Sequence, residues 1–122
     1  MSADSAVQLI DKLAHAYRES AILMAAVQLD LFDRVAEKPR AAAELAAVMH
    51  GDPRGVRILC EACVTLGLLE KRGELLYNTA ASEAHLLRHS PQPWRDMLLH
   101  HARLYAKWGY LQEAVMQGRG VG

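Results

Sequence analysis

The chain has 122 residues, 52% of them apolar and 23% charged, enough for one core and an ordinary globular balance. Its 14 Lys and Arg offset 14 Asp and Glu, so the broad positive field that draws proteins to nucleic acid is absent and any such contact needs a local patch. No apolar run approaches the roughly 20 residues that cross a bilayer, and MSADSAVQ lacks the parts of a secretion signal, so a cytoplasmic protein is expected.

Ser5-Ala6-Val7-Gln8 has the spacing of a capping box, a hydroxyl followed three residues later by glutamine. From there Ala6, Leu9, Ile10, Leu13, Ala14 and Tyr17 recur at helical spacing, which predicts an amphipathic helix over residues 6–19. Ser20 is expected to bend or restart the chain. Ile22, Leu23, Ala26, Val27, Leu31 and Val35 then mark a second helix over 21–35, with 36–40 as the turn. An alanine-rich helix follows and ends at His50-Gly51. Asp52 can cap the next helix through its side chain, and Pro53 suits a first helical position, where no N–H is needed.

That helix runs out at Gly67. Leu68-Leu69-Glu70 and Leu75-Leu76-Tyr77 flank Lys71-Arg72-Gly73-Glu74, a hairpin whose glycine supplies the positive φ of the turn. Helix, turn, helix and two-stranded wing make a winged helix-turn-helix, so the fold class is mainly α. Thr79 is placed to cap a short helix over 80–88, which Ser90-Pro91-Gln92-Pro93 breaks. One long helix is predicted from Pro93 to Gln117, about twice the average length.

Cys60 and Cys63 form a C-x-x-C, but they fall in mid-helix on one face with Val56, Leu59 and Leu66. They lack the helix N-terminus that activates a redox thiol, and no second ligand pair exists for zinc. Buried core thiols are expected. Of the six histidines, His15, His50, His85 and His89 fall at helix faces or ends, where solvated roles are expected. His100 and His101 are adjacent, about 100° apart on a helix, and cannot share a metal.

His101 lies at the centre of a stripe formed by Trp94, Met97, Leu98, Leu104, Tyr105, Trp108, Leu111 and Val115. Its ordinary reading is a core histidine hydrogen-bonded to the backbone. The alternative is a pocket-lining donor beside Met97, Tyr105 and Trp108, a wall suited to a flat aromatic ligand.

A winged helix also invites a DNA-binding reading. The outer face of the second helix of the turn offers Arg54, Arg57, Ile58, Glu61 and Thr65. Glu61 stands one turn from Arg57, and Glu70 and Glu74 bracket Lys71 and Arg72. Such balanced charge suits phosphate binding poorly. A DNA-binding regulator is therefore a second reading only.

Four segments in order, AILMAAVQLDLFDRVAEKPRAAAELAA, DPRGVRILCEACVTLGLLE, ELLYNTAASEAHLL and KWGYLQEAVMQGRG, resemble the amino-terminal domain of the small-molecule O-methyltransferases. These are the caffeate-like and hydroxyindole-like enzymes and their bacterial relatives that decorate polyketides. The resemblance runs from about Ala6 to Gly120. It implies a winged helix used for protein contacts, with the amino-terminal helices of two subunits interlocked in a homodimer. Leu9, Ile10, Leu13, Tyr17, Ile22 and Leu23 are then the interface candidates. The domain would also form one wall of the pocket for a small aromatic or polyketide-type methyl acceptor, with Met97, His101, Tyr105 and Trp108 as candidates.

On this basis residues 1–20 are a dimerisation helix, 21–90 the winged-helix core, 91–117 the long final helix, and 118–122 a flexible end leading to a further domain. Two features depart from the family pattern. Arg40 or Ala41 stands where the family has a capping Ser or Thr, omitting a cap of ~1 kcal/mol. The chain also stops where an S-adenosylmethionine-binding domain should begin. Gly118-Arg119-Gly120-Val121-Gly122 imitates its G-x-G-x-G without a strand before it or a helix after it. The expectation is a scaffold that is not catalytic on its own, holding neither metal nor cofactor, with S-adenosylmethionine belonging to the parent enzyme. A stand-alone interaction domain is a third reading.

Overall fold

A computed structural model describes residues 2–120; Met1 and the last two residues of the expected flexible end, Val121 and Gly122, lie outside it. The first half comprises α1 (Ala3–Gln28), α2 (Leu31–Glu37), α3 (Ala42–Met49) and α4 (Pro53–Thr65). A hairpin of β1 (Leu69–Arg72) and β2 (Leu75–Asn78) follows. Helices α5 (Ala80–His85), α6 (Arg95–Trp108) and α7 (Leu111–Gln117) complete the described chain.

The amino-terminal helix differs from expectation at both ends. It starts at Ala3, capped by Ser2, whose hydroxyl accepts from the Ser5 N–H at 3.1 Å, so the Ser5–Gln8 box is not the cap. It then runs through Ser20 without a break. A serine in mid-helix costs only a few tenths of a kcal/mol, too little to stop an otherwise continuous hydrogen-bond ladder. The break comes instead at Asp30, a non-glycine residue in the left-handed region with φ 57°. Aspartate tolerates that conformation better than most side chains.

The helix-turn-helix and wing match the expectation closely. His50 takes the left-handed turn that ends α3, and the Gly51 N–H bonds back to the Ala46 carbonyl at 2.9 Å. A Cβ on Gly51 would lie 2.9 Å from a Val56 methyl, so glycine is needed there for close approach. Asp52 Oδ2 accepts from the Gly55 N–H at 2.9 Å. Helix α4 ends in a Schellman motif: Gly67 has φ 81°, and the Leu68 N–H reaches the Cys63 carbonyl.

Leu69 pairs with Asn78 and Arg72 with Leu75 in an antiparallel register, so the turn is only Gly73-Glu74 rather than four residues. Positive φ at Gly73 alone is the pattern of a type II′ turn. Arg40 is more than a turn residue. Its carbonyl accepts from the Leu76 N–H, adding a one-residue third strand, and its guanidinium donates to the Arg34 carbonyl at 2.7 Å. On α3, Glu44 accepts from the Ala41 N–H at 3.2 Å, so half of a reciprocal capping pair survives without a hydroxyl at Ala41.

The carboxyl-terminal part departs most. Helix α5 ends at His85, and the long helix is two helices, α6 and α7, separated at Gly109-Tyr110. Glycine is costly inside a helix. Here the ladder tightens to three-residue spacing, Gly109 N–H to Ala106 O and Tyr110 N–H to Lys107 O, and the α-helix is interrupted.

The core gathers Val27, Leu31, Phe32, Val35, Leu45, Val56, Cys60, Cys63, Leu69 and Leu76 from α1 through β2, with Leu86 just after α5. Helix α6 contributes only partly buried Leu98 and Leu99. Cys60 and Cys63 are free and buried, as expected. Burial is the main cause that pushes their thiols up, to about 11 for Cys60 and about 12 for Cys63; nearby Glu61 adds to the first and Cys60 to the second. In the native chain at pH 8 neither thiol is expected to react measurably with a disulfide reagent, whereas both react in concentrated urea. Rapid native labelling at either position would contradict this burial.

Candidate functional site

Helices α1 and α6 lie side by side and run in opposite directions, since Asp30 past the end of α1 meets Arg95 at the start of α6. Between them runs a groove of about 540 Å³ lined by Ser20, Leu23, Met24, Leu98, His101, Leu104, Tyr105 and Trp108. Three of the four expected pocket residues thus share one groove. Met97 does not line it and is half exposed. The partly buried positions of α6 are Arg95, Leu98, Leu99, Ala102 and Leu104, so the packed face is rotated away from the stripe centred on His101.

His101 is consequently exposed at the groove wall. That overturns its reading as a core histidine, and its ring lies 6.1 Å from that of His100. The other histidines are mostly local: His15 is 3.2 Å from Asp11, and His85 donates from Nδ1 to the Gln92 carbonyl at 2.8 Å. Among the described residues no cluster of His, Cys, Asp and Glu could hold a metal.

The six interface candidates divide. Leu9, Ile10, Leu13 and Tyr17 are exposed, with Ile10 at 65% and Leu13 at 64%. Val7, at 68%, extends their stripe. Ile22 and Leu23 are instead partly buried against the chain's own core, because α4 packs on the second half of α1. On and beside the last two helices Trp94, Trp108, Leu111, Val115 and Met116 are also about half exposed or more.

One cluster escaped sequence reading. Asp30 receives Arg95 at 2.7 Å and Arg88 at 3.0 Å, while the Asp33 carboxylate accepts from the Arg88 backbone N–H. Burial works to raise the Asp30 pKa, but the hydrogen bonds and charges of Arg95 and Arg88 outweigh it and hold the carboxyl below its ordinary range. No local motif signals this cluster, because its members lie 58 and 65 residues apart.

On the outer face of α4 Arg57 pairs with Glu61 at 3.3 Å, and on the wing Arg72 pairs with Glu70 at 3.2 Å. Two of the cations a phosphate would need there, Arg57 and Arg72, are thus already engaged. Of the glycine stretch after α7, Gly118 has φ 69° and takes the left-handed end of that helix, whereas a cofactor loop of this kind follows a strand. No helix of the described residues is long and apolar enough to cross a membrane.

Residues 11–88 match the family model described as the O-methyltransferase dimerisation domain. Acetylserotonin O-methyltransferase of Rattus norvegicus is 39% identical over 118 residues, covering 95% of this chain and 27% of that protein. The tetracenomycin polyketide synthesis 8-O-methyl transferase TcmO of Streptomyces glaucescens is 38% identical over 109 residues, covering 88% of this chain and 32% of that protein. Human N-acetylserotonin methyltransferase, solved in complex with SAM, superposes with a TM-score of 0.83 at 35% identity over 98% of this chain and 37% of that one. The chain therefore spans well under half the length of these relatives.

Proposed function

Because the chain belongs to the O-methyltransferase dimerisation-domain family, we propose that it holds together two copies of a cytoplasmic, S-adenosylmethionine-dependent small-molecule O-methyltransferase. In this reading it also forms one wall of the acceptor pocket and transfers no methyl group itself. The observation that carries the first part is the exposed stripe Val7, Ile10, Leu13 and Tyr17 on α1. Each large aliphatic side chain gains about 1.5–3 kcal/mol on full burial, so a free helix face of this kind favours a second copy.

The acceptor reading rests on the groove between α1 and α6. Tyr105 and Trp108 offer flat apolar surface there, and the His101 ring offers a hydrogen-bonding edge. That combination suits a small aromatic or polyketide-type hydroxyl compound. The relatives' names, one an acetylserotonin O-methyltransferase and one an 8-O-methyl transferase of tetracenomycin polyketide synthesis, support this class. S-adenosylmethionine would supply the methyl group from a domain outside these residues, and no described residue is assigned to it.

Sedimentation equilibrium tests the dimer. The chain is expected to be dimeric at micromolar concentration, with Ile10→Ala weakening the association about tenfold, the loss of roughly 1.4 kcal/mol of apolar burial. A wild-type chain that stays monomeric at several hundred micromolar would remove the basis for this proposal.

A further inference from the structure

Building on the acceptor-groove reading above, we propose that Arg95, through its ion pair with Asp30, is a positioning residue that sets the angle of α6 and thereby the width of the groove. The hydrogen-bonded anchors of α6 all lie at its amino-terminal end. Arg95 meets Asp30 at 2.7 Å, and the Trp94 N–H bonds the His85 carbonyl at 2.7 Å. The Gln92 N–H reaches the Ala84 carbonyl, and the Gln92 carbonyl accepts from His85. Beyond Leu98 and Leu99, which rest on the core, only Ala102 and Leu104 are partly buried, and no side chain of α6 is fully buried.

The helix is therefore fixed by polar contacts at one end and only lightly packed toward the other. At 1.5 Å per residue Trp108 lies about 20 Å from Arg95, so a tilt of about 10° at the anchor displaces it by about 3–4 Å. Leu98 lines the groove near the anchor, whereas Leu104, Tyr105 and Trp108 line it further out, where that displacement grows. Of the anchors, only the Asp30 pair joins α6 directly to the end of α1, the opposite wall. The Arg95 side chain is 17% exposed, too enclosed for water to replace its partner freely.

Nitroxide labels on cysteines introduced at Glu19 and Lys107, both exposed beside the groove, report the separation of the walls. The labelled chain is diluted with unlabelled chain so that only intramolecular distances are read; the buried native thiols stay unlabelled. Arg95→Met, in a chain shown by circular dichroism to be folded, is expected to shift the mean distance by about 2 Å or more, or to broaden it comparably. Arg95→Lys keeps the charge and is expected to keep the wild-type distance. An unchanged distance in Arg95→Met overturns the proposal. An equal shift in Arg95→Lys also overturns it, because packing rather than the ion pair would then set the angle.

Calorimetric titration with N-acetylserotonin as probe examines the underlying groove reading separately. Wild-type binding that weakens about tenfold in Arg95→Met but not in Arg95→Lys supports both ideas. If the wild type binds no probe, the acceptor reading falls while the distances still decide what Arg95 does.

Discussion

Phe32→Ala is expected to lower the unfolding free energy by about 3–5 kcal/mol, the largest effect of any single truncation proposed for this chain. Phe32 is 1% exposed and is the bulkiest fully buried side chain in the core. It sits on the short helix α2 between Leu31 and Val35, which are also buried, and its carbonyl accepts from Asn78 Nδ2 at 3.0 Å. Removing the ring leaves a cavity in the core that its neighbours refill only in part. A chain of this size has about 5–15 kcal/mol of stability in total, so the loss is a large share of it. Urea unfolding at fixed protein concentration measures it, since association would add to apparent stability. Met97→Ala, at a half-exposed position, is the control and should cost less than about 0.5 kcal/mol. Equal losses in the two variants would mean that Phe32 is not part of the core.

Asp30→Asn is expected to cost about 2 kcal/mol at neutral pH, within the range for hydrogen bonds to charged groups. Asparagine accepts the left-handed backbone at this position, so the substitution removes charge without adding backbone strain. Arg95, whose Nε is already buried without a partner, then loses its one charged acceptor among the described residues. Arg88 is half exposed and contributes the smaller part.

The pH dependence has a definite sign. The folded pKa of Asp30 lies below its unfolded value, so its contribution is fully present above about pH 4 and is lost as pH falls through the folded pKa. Wild type and Asp30→Asn should therefore differ in urea midpoint at pH 7 and converge toward pH 2. A difference that persists undiminished at pH 2 would assign the effect to shape rather than charge.

Where the signal was local, the chain was legible. Asp52-Pro53, His50-Gly51, Gly67 and the Gly73 turn each sit within a few residues of the groups they organise, so the helix-turn-helix and wing could be placed from them. The Cys60–Cys63 face followed from period alone, because a helix that buries one side repeats at 3.6 residues whatever covers it. Misreadings came where distant partners or competing local signals decide. Ser20 looked like a break and is not. Asp30 is the break, and its carboxylate is held by arginines 58 and 65 residues away. Gly109 divides what an unbroken apolar stripe presents as one helix.

The groove was half visible. His101, Tyr105 and Trp108 could be grouped by spacing, but Leu23, Met24 and Leu98 on the wall and floor depend on how α1 crosses α6. That crossing also explains why Met97 lies outside and His101 is exposed. Order along the chain determined by itself the winged helix, the buried thiols and the unpaired amino-terminal stripe, because capping, turn chemistry and periodicity act over one or two turns. Tertiary structure alone decided where α1 ends, which side of α6 packs and what faces the groove, because those follow from ion pairs and helix crossings whose partners are far apart in sequence.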